Sequence, residues 1–295
     1  MAGGTLYLVA TPIGNLGDVT FRAIEVLRAV PLIAAEDTRI TRRLLARYHI
    51  GTRLTSYHAR SGPGRAAELL AHLRSGSDLA LVTDAGTPAV SDPGMEIVTA
   101  WAVEGGRVEA IPGASAVLAA IAVSGIAGPR WAFEGFLPRA GRERRERLER
   151  VAADERGSVI FEAPGRTRRT LEDLAAACGP ERPAAVCREL TKLHEQVVRG
   201  SLADLVTACA DGSIPERGEV VIVVGWHAGA ARPGRGAAAG GGRVVETGPD
   251  AAATAALAEV EALVTGGMGR SEAARRVAAT SGIPRRRLYR VDAGR

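Results

Sequence analysis

Lysine is almost missing from this chain: Lys192 is the single example among 38 basic residues. No G-x-x-x-x-G-K-[ST] phosphate loop can therefore be written, and the one lysine stands in the second half, far from the glycine-rich turns of the first. The dinucleotide fingerprint G-x-G-x-x-G is lacking at the first predicted helix as well, so kinase, ATPase and ordinary dehydrogenase readings fall away. Cysteine is scarce too. Cys178, Cys187 and Cys209 are odd in number, with no C-x-x-C and no paired histidine spacing, which supports neither a disulfide framework nor a zinc site and leaves buried free thiols as the expectation. No metal-ligand cluster is evident. No apolar stretch reaches membrane-spanning length, and Met1-Ala-Gly-Gly-Thr5 runs into a predicted strand without the basic segment and apolar core of a signal peptide. A reducing cytoplasm is the expected setting.

What is present suffices for two ordinary domains and a small appendage: 295 residues, 46% of them hydrophobic. Charge is unevenly placed. Residues 1–117 carry 11 basic and 11 acidic side chains, residues 118–226 carry 16 and 16, and residues 227–295 carry 11 and 6, so the whole excess of five lies in the tail. A basic tail is what contact with a polyanion calls for, although a general preference for arginine would give the same count.

Apolar, β-rich runs alternate with helical periodicity through the first 120 residues, the pattern of a parallel sheet with crossover helices. It predicts strands near 5–10, 31–35, 53–56, 79–83 and 108–111, and helices near 19–29, 38–48, 63–74, 94–105 and 114–124. A second α/β unit follows over 121–226, with strands near 131–136, 157–162, 183–188, 194–200 and 219–225 and helices near 141–153, 167–178 and 201–210. The half-buried alternation of Glu195-Gln-Val-Val-Arg-Gly200 implies antiparallel pairs, hence a mixed second sheet. Two sheets in one α/β chain leave a cleft between them. Residues 227–247, rich in Ala, Gly, Arg and Pro, read as a flexible linker. Beyond it, 250–265, 270–281 and 284–290 read as a small helical module over 248–295, with Ser271 as a candidate N-cap; it suits either an RNA contact or helix packing.

Three loops of small residues stand at predicted strand ends: Thr11-Pro-Ile-Gly-Asn-Leu-Gly-Asp18, Asp84-Ala-Gly-Thr-Pro-Ala-Val-Ser-Asp-Pro-Gly94 and Ile111-Pro-Gly-Ala-Ser-Ala116. An open parallel sheet gathers its ligand beyond the strand carboxyl ends, and only small residues let backbone approach it closely. S-adenosylmethionine fits such a site: its sulfonium is positive, its ammonium and ribose hydroxyls want acceptors, and its adenine wants an apolar slot. Asp84 is a candidate acceptor; Asp84 and Asp92 could instead cap a turn or the following helix.

These loops, with Ala34-Ala-Glu-Asp-Thr-Arg39, Phe161-Glu-Ala-Pro-Gly-Arg166 and Arg188-Glu-Leu-Thr-Lys192, come in an order that resembles the bacterial 16S ribosomal RNA cytidine 2'-O-methyltransferases, a branch of the tetrapyrrole methylase superfamily. The resemblance covers roughly residues 4–226. It implies a two-domain homodimer that binds S-adenosylmethionine in the interdomain cleft and methylates a cytidine ribose of 16S RNA or of the small subunit. It also implies that Pro12, Asp84, Thr87, Ser115, Ala116 and Ala163 line the cofactor. Tetrapyrrole-acting relatives begin the second loop Gly-Asp-Pro, whereas this chain has Thr83-Asp84-Ala85, which favours the RNA branch.

Methyl transfer from a sulfonium is an in-line displacement in which positioning comes first and a group that accepts the hydroxyl proton adds rate. The candidate catalytic groups are Glu36 and Asp37, which could equally open a helix, together with His58 and Lys192. Arg39, Arg42, Arg43 and Arg47 lie three and four apart on one predicted helix face without interleaved acids, a phosphate track more than a salt-bridge stripe. The run Arg142–Arg150 has acids interspersed and reads as a solvated face. Glu134 and Glu162, at strand ends, are expected either to face the substrate mouth or to pair with a nearby arginine.

Overall fold

The computed structural model of the chain describes residues 3–227, 260, 263–265 and 268–281. The chain forms two compact units, 1–232 and 233–295.

The first unit holds two five-stranded sheets. The first sheet is built from β1 (Thr5–Val9), β2 (Leu32–Ala35), β3 (Arg53–Ser56), β4 (Leu79–Val82) and β5 (Arg107–Ile111), in the order β3-β2-β4-β1-β5 with every pair parallel. Its crossovers are α1 (Phe21–Ala29), α2 (Thr38–Arg47), α3 (Pro63–Arg74) and α4 (Met95–Val103). Helices cover both faces. Leu27, Leu45 and Val30 pack with Ile33 and Val82 on one side, while Leu69, Leu73, Ile97 and Trp101 pack with Leu6, Leu79 and Leu81 on the other. Both faces of β4 are therefore buried, which is why it reads as the unbroken apolar run Leu79–Val82 and not as an alternation.

The helix α5 (Ala116–Ser124) leads into the second sheet, made of β6 (Trp131–Phe136), β7 (Gly157–Glu162), β8 (Pro183–Arg188), β9 (Gln196–Ser201) and β10 (Val220–Val224). Its order is β6-β7-β10-β8-β9, with β6 parallel to β7 and the other pairs antiparallel, the mixed sheet expected. The helices α6 (Gly141–Ala153), α7 (Thr167–Cys178) and α8 (Leu202–Ala210) fill one face through Leu148, Leu171, Leu174 and Leu205. The apolar helix α5 covers part of the other face: Val117 and Ala120 join Val159, Cys187 and Val221, and Ile13 of the first loop packs into the same cluster. Local signals set the ends. Thr20 caps α1, Ser201 and Asp204 form a capping box on α8, and Gly125 ends α5 in the left-handed conformation that glycine adopts without strain.

Two expectations need correcting. Arginines 142 to 150 do not all face solvent: Arg144 is buried, paired with Asp173 and bonded to Thr170 and the Pro138 carbonyl. Ser271 is not a cap, since it is the second residue of α9 (Arg270–Ser281), and the Gly269 carbonyl accepts the Glu272 and Ala273 N–H groups. Cys187 and Cys209 are buried free thiols, and Cys178 is partly buried.

In the second unit α9 buries Ala273, Ala274 and Val277 with Val260. The linker at 228–247 and the helix at 284–290 lie outside the described residues, as does the helix at 250–265 except for residues 260 and 263–265, which are helical.

Candidate active site

Strand order explains why loops 70 and 100 residues apart meet. The loops after β1, β4 and β5 leave the carboxyl ends of three adjacent strands, and backbone bonds join them. Thr11 and Gly86 exchange N–H to carbonyl bonds of 2.8 and 3.0 Å, the Thr11 hydroxyl donates to the Thr83 carbonyl at 3.0 Å, and Ala10 N–H donates to Ile111 at 3.1 Å. Gly113 approaches so closely that a Cβ there would lie 3.0 Å from the Ala10 Cβ. Only small residues allow this arrangement.

These loops form one wall of a cavity of about 570 Å³, within the usual range for a small-molecule site; the opposite wall is the second sheet. Five of the six expected cofactor residues, Asp84, Thr87, Ser115, Ala116 and Ala163, line it. Pro12 is buried, and its neighbour Ile13 lines the cavity. The Ser115 hydroxyl caps α5, accepting from Leu118 N–H.

At the cavity's acidic end Glu36, Asp84 and Asp92 gather around Thr83. Glu36 Oε2 accepts the Thr83 hydroxyl at 2.8 Å and Asp84 N–H at 3.4 Å, and Asp84 Oδ1 accepts Asp37 N–H at 2.9 Å, which ties the ends of β2 and β4 together. Burial first, then the neighbouring Glu36 carboxylate, pushes Asp92 up to about 6, against a hydrogen bond with Thr83 that lowers it. Burial also raises Asp84. The Thr83 hydroxyl donates to Glu36, and the Asp92 carboxyl lies beside both. In the sequence Asp92 reads only as a candidate cap; its position two residues before a loop glycine carries no sign of Glu36, which is 56 residues away.

The other expected catalytic groups lie off the cavity lining. Asp37 caps α2 through Arg39 N–H and forms a two-point ion pair with the Arg39 guanidinium, whose hydrogen bonds hold its carboxyl down to about 2. His58 is exposed and closes its own turn, Nδ1 accepting Arg60 N–H at 3.2 Å. Lys192 sits 3.0 Å from Glu189 Oε1 and 3.1 Å from Glu219 Oε2, and Glu219 lines the cavity. The first loop lies against it: a Cβ on Gly14 would fall 2.4 Å from Lys192 Cγ. Glu134 pairs with Arg147, and Glu162, which lines the cavity, pairs with Arg166 at 3.3 Å.

Arg39, Arg42, Arg43 and Arg47 are all exposed on α2. Because Glu36 and Asp37 directly precede the helix, the row starts beside the cavity and runs roughly 12 Å away from it, at 1.5 Å per residue.

The acidic end and the small-residue loops fit a cationic sulfonium donor, and the apolar second sheet offers a face for a planar base. Comparison with known proteins agrees with this geometry. Residues 5–206 match the family model described as Tetrapyrrole (Corrin/Porphyrin) Methylases. The chain is 43% identical to the ribosomal RNA small subunit methyltransferase I of Synechocystis sp. over 289 residues, covering 98% of this chain and 97% of that protein. It is also 43% identical to the protein of the same name from Xylella fastidiosa, covering 97% and 98%. Among solved structures it resembles uroporphyrin-III C-methyltransferase from Thermus thermophilus complexed with S-adenosylhomocysteine, with a TM-score of 0.53 and 21% identity over 75% of this chain and 97% of that one, a likeness of fold.

Proposed function

Since the chain belongs to the tetrapyrrole methylase family, we propose that it is an S-adenosylmethionine-dependent methyltransferase of 16S ribosomal RNA, and that it methylates the 2'-hydroxyl of a cytidine ribose. The observation that carries this reading is one cavity in which small-residue loops and a carboxylate cluster face an apolar sheet, with an exposed arginine row starting at its edge. The near full-length relatives named for small-subunit RNA support the substrate class.

In this reading Asp84, Thr87, Ser115, Ala116, Ala163 and Ile13, with Pro12 behind it, hold the donor. When bound, the donor supplies an electrophilic methyl group. The protein's own contribution is to hold the ribose oxygen in line, exclude water and receive the hydroxyl proton. Asp92 is better suited to receive it than Asp37, because a base near 6 matches neutral operating pH and one held near 2 by Arg39 does not. Glu36 holds the Thr83 hydroxyl and sets its charge against the Asp92 carboxyl. Lys192, between Glu189 and Glu219, closes the cavity edge against the first loop. Arg42, Arg43 and Arg47 meet phosphates, while Arg39 shares its charge with Asp37. We assign the cleft between the halves 1–120 and 121–226 to donor and substrate binding, the basic tail at 248–295 to RNA contact, and the working form to a homodimer.

The test is incubation with methyl-labelled S-adenosylmethionine and either undermethylated small subunits or naked 16S RNA, followed by mapping of the product. Label on a cytidine 2'-oxygen is expected. Label on a base, or transfer to a tetrapyrrole in place of RNA, would overturn the assignment.

A further inference from the structure

The chain has only four phenylalanines and three tryptophans, yet Phe133, Phe136, Phe161 and Trp131 all line this one cavity. A regular strand would not produce that wall. Alternation along β6 sends Trp131, Phe133 and Gly135 to one face and Ala132, Glu134 and Phe136 to the other. The register with β7 shifts between Phe133 and Gly135, where Gly135 has φ +62°, and beyond the shift Phe136 pairs with Phe161. The extra residue turns Phe136 onto the face of Trp131 and Phe133, as a β-bulge beside a functional site does. Glu134 is left pointing the other way, where Arg147 of α6 binds both its carboxylate and its carbonyl. The opposite loop is close by, since a Cβ on Gly135 would meet Ser91 Oγ at 3.3 Å. Phe161 holds the wall edge-to-face, its ring centroid 4.9 Å from Phe133 and 5.5 Å from Phe136.

Two of these rings are not core. Phe136 is 54% exposed and Trp131 37% exposed, on an edge strand opposite the carboxylates. A large ring kept in water at the rim of a cavity, and turned there by a bulge, forms a platform. We propose that Trp131 and Phe136 form a stacking surface for the pyrimidine base of the target nucleotide, drawn out of the RNA so that its ribose lies toward Glu36, Asp84 and Asp92. A base leaving its strand loses its stacking neighbours, and an aromatic face replaces them. This inference rests on the RNA-methylation reading and adds to it the group that holds the base.

The experiment pairs Phe136→Ala and Trp131→Ala with two RNA substrates, one carrying the target cytidine and one with an abasic ribose at that position. S-adenosylhomocysteine affinity is measured by calorimetry on each variant, as a readout of fold and of the donor site. The expected result is a loss of about tenfold or more in kcat/KM on the cytidine substrate, shrinking to under about threefold on the abasic one, with S-adenosylhomocysteine affinity unchanged. Equal losses on both substrates would overturn the inference, because the rings would then act without the base. A parallel loss of S-adenosylhomocysteine affinity would overturn it too, by assigning the wall to the donor's adenine. Wild-type protein that methylates neither RNA would bring down the function reading and this inference together, whereas an active wild type without coupling brings down the inference alone.

Discussion

Replacing Asp92 by asparagine removes a carboxylate that the folded protein ionises reluctantly, so the variant should be more stable and less active. Asp92 rises from an ordinary 3.8 to about 6, mainly through burial. Two units correspond to roughly 3 kcal/mol at about 1.36 kcal/mol each. The side chain is only partly buried, so solvent screening reduces this to about 1–2 kcal/mol. The sign follows from proton counts. Between pH 4 and 6 the folded chain keeps the Asp92 proton and the unfolded chain has lost it, so the stabilisation this proton provides is complete below pH 4 and disappears as pH rises through 6. At pH 8 Asp92→Asn should therefore exceed the wild type by about 1–2 kcal/mol, a rise of roughly 2–6 °C in Tm for a chain of this size. The gain should shrink toward zero by pH 4. Methyl transfer should fall by about a hundredfold or more, the usual effect of removing a group that accepts a proton. Thermal melts without ligand across pH 4–8, together with single-turnover methyl transfer, check both halves. A variant less stable than wild type at pH 8, or one whose stability difference does not change with pH, would refute the assignment of a carboxylate whose ionisation the cavity disfavours.

Changing Arg42, Arg43 and Arg47 together to glutamate should leave S-adenosylhomocysteine binding intact, weaken RNA binding and lower the slope of log affinity against log salt by about 2, as read by filter binding over a salt series. Lys192→Met leaves Glu189 without its cation and should cost roughly 1–2 kcal/mol in denaturant unfolding; adding Glu189→Gln should recover most of that stability, and continued loss of methyl transfer in the double variant would separate Lys192's part in the reaction from its ion pairs. Cys187 lines the cavity but is fully buried, and burial pushes its thiol up to about 11, so only about one molecule in a thousand is thiolate at pH 8; iodoacetamide should leave both Cys187 and activity untouched, as mass spectrometry and a transfer assay will report.

Most of the element boundaries were legible in the chain because the signals that set them are local. Caps at Thr20 and Ser201, the glycine after α5 and the switch between alternation and helical periodicity each act within a few residues. The three small-residue loops were legible for the same reason, and so was the arginine row, since helical spacing alone brings Arg39, Arg42, Arg43 and Arg47 to one face. Which groups share the cavity was decided by tertiary structure. The order β3-β2-β4-β1-β5 puts the ends of β2 and β4 side by side and brings Glu36 to Thr83 and Asp92, while Asp37, one residue from Glu36, is turned to Arg39. A single inserted residue in β6 turned Phe136 across the sheet, and no periodicity announces such a shift. Periodicity and capping depend on neighbours a turn away, whereas burial of a carboxylate and the facing of a ring depend on strand order and register, which arise only when distant segments pack.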